Sequence, residues 1–139
     1  MLTRLGRWLG RRAPPRGQEV DEFLRVARES FVGLQAAWDA ADLQTLAAFT
    51  TERLAAELRE ELERRGPGPN RTEVVAVDAR LLALEELNEA FLASVEFSGL
   101  IRERLDDDDA APFRELWLLA KPKAAGAPGW RLARVQALA

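Results

Sequence analysis

The chain has 139 residues, 47% hydrophobic and 31% charged, the proportions of one globular domain with a sizeable core. It contains no Cys, His or Tyr, which excludes disulfides, thiol nucleophiles, thiolate zinc sites and the side chain that most often moves protons near neutral pH. The net charge of −3 divides into +5 over residues 1–17 and −8 over the rest, an acidic body that argues against nucleic acid as a partner.

Residues 1–17, "MLTRLGRWLGRRAPPRG", place Leu2, Leu5, Trp8 and Leu9 at helical spacing among Arg4, Arg7, Arg11 and Arg12. Pro14 and Pro15 end that pattern, so the segment reads as a short basic amphipathic helix set apart from a domain over 18–139. A frayed terminus accounts for it, and so does contact with a membrane surface through Leu5, Trp8 and Leu9 with Arg4, Arg11 and Arg12, because Arg and Trp on one short helix suit an anionic interface. The segment also has the Arg-rich, acid-free character of a transit peptide. No apolar run approaches the roughly 18 residues that a membrane-spanning helix needs.

From Glu19 the spacing predicts a long helix, with Val20, Leu24, Ala27, Phe31, Leu34 and Trp38 on one face. Asp42 is placed to cap a short second helix that carries Leu43, Leu46 and Phe49. Thr50 or Thr51 caps a third, "ERLAAELREELERR", whose Leu54, Leu58 and Leu62 share a face until Gly66 and Pro67 stop it.

Beyond "GPGPN" the period changes to two. "TEVVAVDARLLAL" and "FLASVEFSGLI" alternate in the manner of strands joined by a hairpin at "EELNEA", with a bulge expected where Leu81 and Leu82 break the alternation. "DDDDAAP" leads to "FRELWLLAKP", and "KAAGAPG" leads to "WRLARVQAL", which makes four strands. Three helices followed by four strands predict an α+β domain: N-terminal helices packed on a curved four-stranded antiparallel sheet, cone-shaped, with Trp117 and Trp130 as cross-strand partners over the helix.

The blocks "FLRVARESFVGLQAAWDAADLQTLAAFTTERLAAEL", "EVVAVDARLL", "ASVEFSGLIRE", "WLLAKP" and "GWRLARVQ" together resemble the bacterial branch of the Tim44-like domain family, over about Asp21 to Leu138. That branch is related to the C-terminal domain of the subunit that anchors the mitochondrial import motor at the inner membrane. The resemblance implies the cone-shaped fold of the nuclear-transport-factor-two-like superfamily. It also implies a non-catalytic scaffold or binding domain associated with the bacterial inner membrane, with an apolar pocket for a lipid acyl chain or a protein partner in that membrane; because this sequence shows no spanning run, the expectation is a cytoplasmic domain peripheral to that membrane. Bacterial relatives commonly carry an N-terminal membrane segment and a Gly-rich linker; here the basic segment Leu2 to Arg12 stands in that place.

The candidate pocket is lined by Phe31, Leu34, Trp38, Phe91, Phe97, Trp117 and Trp130, apolar throughout, although the same spacing describes an ordinary filled core. The alternative reading is a carboxylate-dependent isomerase or dehydratase of the same superfamily. It would work from Glu115, which shares strand parity with Phe113 and Trp117, whereas Glu96 reads as solvent-facing and Asp78 as a solvent-facing or ladder-pairing residue. Asp106–Asp109 lack the Gly and the distal Glu of a calcium loop, and no phosphate-cradling loop, nucleophile elbow or metal triad is present, so no cofactor is expected. Leu92, Leu100, Leu116 and Leu118 would share the open sheet face, a surface on which a homodimer can form.

Overall fold

A computed structural model describes residues 18–66, 72–102, 109–127 and 129–138. Helix α1 (Gln18–Asp39) is followed by α2 (Leu43–Phe49) and α3 (Glu52–Arg65), then by strands β1 (Glu73–Glu86), β2 (Ala90–Arg102), β3 (Ala111–Pro122) and β4 (Arg131–Ala137). The strands form one antiparallel meander in the order β1-β2-β3-β4.

The helix boundaries follow from short-range chemistry. Asp42 accepts from the Thr45 amide at 3.1 Å and from the Thr45 hydroxyl at 2.6 Å, which satisfies donors that the first turn of α2 leaves open. Thr51 does the same for α3 through the Leu54 amide, and Gly66, at φ 82°, closes that helix by donating its amide to the Leu62 carbonyl. Thr50 turns inward instead. Its buried hydroxyl donates back to the Leu46 carbonyl at 2.7 Å, and its backbone pairs in parallel with Leu132. The α2–α3 junction is thereby stitched to β4.

A second tie fixes the other end of the helical layer. Asp39, at the end of α1, accepts from the Thr72 amide at 2.6 Å and from its hydroxyl at 3.3 Å, which holds the start of β1 against the helix.

Register decides what reaches the core. The inner face of β2 presents Ala93, Val95 and Phe97, all fully buried, and that of β3 presents Trp117 and Leu119. Phe31 of α1 drops onto this face with ring centroids 4.9 Å from Phe97, 5.2 Å from Phe113 and 5.2 Å from Trp117. At 1% exposure, Phe31 contributes about 1.5–3 kcal/mol by burial alone. Ala27, Leu34 and Ala37 complete the buried stripe of α1.

The expected bulge is present at Leu82, and a second lies at Val75; both bulge residues point outward and are close to half exposed. Across from the second one, Gly99 lets β1 approach closely: a Cβ there would sit 1.9 Å from the Ala76 carbonyl oxygen.

The two Trp residues are not cross-strand partners. Trp117 stands opposite Val135, and an extra residue at Ala133 then shifts the ladder so that Leu119 meets Leu132. Trp130 precedes β4 and packs edge-to-face on Phe23, 5.4 Å between centroids. On the outer face Glu96 bridges Arg80 at 3.1 Å and Arg114 at 3.4 Å, so the surface on which a second copy would pair has a charged centre among Leu92, Leu100, Leu116 and Leu118.

Candidate functional site, a groove between helix α3 and the sheet

Helix α3 is anchored at both ends. At its start the Thr51 amide donates to the Leu132 carbonyl at 2.9 Å. At its finish Arg65 donates to the Trp38 carbonyl at 2.8 Å and lies 5.1 Å from the centroid of that indole, a cation–π contact. Between these ties the walls part around a cavity of about 960 Å³.

The sequence builds this hollow because α3 has a narrow apolar stripe. Leu54, Leu58 and Leu62 recur every fourth residue, and apart from Ala55 and Ala56 every other position of the helix is charged, so its apolar contact surface is a narrow stripe. The floor is apolar: Leu34, Trp38, Leu46, Leu54, Leu58, Trp117 and Leu132. The lining also includes Arg53, Glu57 and Glu61 from α3 and Glu115 and Arg134 from the sheet. The outcome is a greasy trough with a charged margin, more polar than the apolar pocket the sequence predicts. Apolar surface is removed from water inside it, while the margin can orient a polar end.

Glu115 is the one carboxylate of the sheet in this lining. Its Oε1 accepts from the Trp117 indole nitrogen at 3.0 Å, so it satisfies the polar handle of a Trp that is otherwise buried. Among the described residues, no group of three or more Asp or Glu side chains is arranged to hold a metal ion.

The seven residues expected in one pocket separate into four places. Leu34, Trp38 and Trp117 line the groove. Phe31 and Phe97 lie beneath it in the aromatic core, where they fill one another's space. Trp130 lines a second hollow of about 70 Å³ on the other side of Leu34 and Trp117, between Phe23, Val26 and Phe49. Phe91 is at the far end of β2 under the Lys123 ammonium, which is 4.9 Å from its ring centroid and pairs with Glu86. Leu5, Trp8, Leu9, Arg4, Arg11 and Arg12 lie outside the described residues, as do Asp106–Asp108.

Sequence reasoning missed Glu57, Glu61, Arg53 and Arg134. The signal available was the width of the α3 stripe: one leucine per turn covers only a narrow strip of the sheet, so the residues flanking it line the space that is left.

Helices laid on a four-stranded antiparallel meander, with a trough between the last helix and the last two strands, define a small α+β domain. The profile of the Tim44-like domain family matches residues 11–137, and the chain belongs to that family. The match begins within the basic segment and runs through β4. No curated protein matches the chain at a significant level. Membership suggests a scaffold or binding role at a membrane, in a family that is generally non-enzymatic. No helix among the described residues is long and apolar enough to cross a membrane.

Proposed function

We propose that this chain is a non-catalytic binding domain, cytoplasmic and peripheral to the bacterial inner membrane, whose groove takes a lipid acyl chain. The observation that carries the reading is the 960 Å³ trough with its floor of Leu and Trp, large enough for a flexible hydrocarbon chain and edged by charge that can face a head group. In this reading residues 1–17 form a separate basic segment that brings the domain to an anionic surface, where each Lys or Arg near the bilayer adds about 1 kcal/mol.

Two experiments test the halves of the reading separately. Quenching of Trp fluorescence by brominated fatty acyl chains reports the groove, because Trp38 and Trp117 line it; unquenched emission at saturating lipid contradicts it. Flotation on anionic and neutral vesicles, with the full chain and with residues 1–17 removed, reports attachment. Binding to anionic vesicles that is lost with the segment supports it, and the same absence of binding in every case contradicts it.

One observation favours the alternative reading, a carboxylate-dependent isomerase or dehydratase: Glu115 is in the groove. Against it, the hydrogen-bond partner of that carboxylate is an indole, which donates and cannot relay a proton. An activity abolished by Glu115→Gln with the fold intact would establish this reading in place of the first.

A further inference from the structure

The groove and the 70 Å³ hollow share a wall. Among the described residues, Leu34, Trp117 and Leu132 line both cavities and no others do. The three are not equally fixed. Trp117 is pinned by its hydrogen bond to Glu115 and by its ring contacts with Phe31 and Phe97. Leu132 belongs to the part of β4 that the Thr51 amide and the Thr50 bridge hold against the helices. The Leu34 side chain, 8% exposed, is held by packing alone. It is the part of the wall that a substitution can remove while the other two stay in place.

We propose that Leu34 is the stop at the inner end of the groove and sets the longest hydrocarbon chain the groove holds, with the hollow as the space that a longer chain would need. This rests on the reading of the groove as an acyl-chain site.

Charge fixes the direction in which a chain enters. Arg53, Glu57, Glu61 and Arg134 keep a polar end at the margin, so the methyl end runs toward the floor, where Leu34 and Leu132 are nearly buried. Beyond Leu34 the space is walled mainly by apolar side chains, Phe23, Ala27 and Leu119 among them. Such a cavity stays dry and takes apolar guests. At roughly 30 Å³ for a water-sized group, its 70 Å³ admits about two carbon units. Each methylene removed from water tightens binding about three- to fourfold. Affinity therefore climbs with chain length until the methyl end meets the stop, and then levels off.

Straight-chain fatty acids, lengthened one carbon at a time, are titrated calorimetrically into the parent chain and its variants. The parent should climb and then level off at one length. In Leu34→Ala the levelling should come about two to four carbons later, from the hollow together with the side chain removed. A chain two carbons past the parent's limit should then bind about tenfold tighter to that variant than to the parent. Ser30 lines the hollow and not the groove, so Ser30→Leu fills the hollow without touching the groove. Alone it should leave the parent's limit where it is, and combined with Leu34→Ala it should take back most of the extension. Leu34→Met, close to leucine in volume, should keep the parent's limit. Where thermal melts show Leu34→Ala unfolded, Leu34→Val removes about one carbon and is read for a smaller shift in the same direction. Affinity that climbs with length in the parent but levels off at the same length in the folded, shortened variant overturns the stop and leaves the groove reading standing. An extension that Ser30→Leu does not take back does the same. Affinity that is independent of length in the parent overturns both.

Discussion

The indole nitrogen of Trp117 donates to the carboxylate of Glu115, two residues earlier on the same face of β3, at 3.0 Å. Trp117 is 3% exposed and touches both Phe31 and Phe97, so this hydrogen bond sets the tilt of the ring that separates core from groove. Glu115→Ala removes the acceptor and leaves a buried N–H unpaired, at a cost of about 1–3 kcal/mol. Glu115→Gln keeps an acceptor oxygen and should cost much less. Urea unfolding of the two variants checks the order; equal losses would mean the hydrogen bond contributes nothing.

Gly99 should not tolerate a side chain. The Cβ of Gly99→Ala would meet backbone, the Ala76 carbonyl, at 1.9 Å, and β1 must move away from β2 to admit it. A loss of about 1–3 kcal/mol is expected, as for other overpacked sites. Gly33 has nothing within 4 Å of its would-be Cβ, so Gly33→Ala serves as the neutral or stabilising control in the same thermal melts.

Thr50 ties α2 to β4 through a buried hydroxyl. Thr50→Val keeps the volume and loses the hydrogen bond to the Leu46 carbonyl, with an expected cost of about 1 kcal/mol. Because this junction also forms one end of the groove, hydrogen exchange at Thr51 and Leu54 should speed up more than exchange in β2.

The hydrogen bonds from Thr45 hold the Asp42 carboxyl below its ordinary range. A carboxyl depressed in the folded state binds its proton more readily in the unfolded one, so its stabilisation is present above the unfolded pKa of about 3.9 and is lost as pH falls through and below that value. Asp42→Asn also caps a helix but does not titrate. Between pH 6 and pH 3 the variant should therefore lose less stability than the parent chain, read as the shift in urea midpoint; parallel losses would show that Asp42 does not contribute to acid sensitivity.

Much of the fold is written in local pattern. The face of α1, the caps at Asp42 and Thr51, the stop at Gly66 and the bulge at Leu82 all depend on residues within four positions of one another, and each is readable from spacing. The placement of Trp130 was not readable, because the bulge at Ala133 and the preceding loop set the register of β4, and neither has a periodic signature. The groove was readable only in part. Alternation says that Trp117 and Leu34 face inward, yet whether opposed faces touch or stand apart depends on how α3 is tied at Leu132 and Trp38, two contacts between segments far apart in the chain. Phe31 and Phe97 look like pocket residues for the same reason: a sequence shows that both are inside and not that they fill each other.

The central claim is that the trough beside α3 holds an acyl chain. Native mass spectrometry of the full chain purified without detergent tests it most directly, beside Leu58→Glu, which puts a charge among the floor residues. A bound lipid mass is predicted on the parent chain, reduced at least severalfold on the variant while its charge-state distribution stays that of a folded protein. A parent chain that carries no lipid after incubation with inner-membrane extract, or a variant that carries as much as the parent, would contradict the claim.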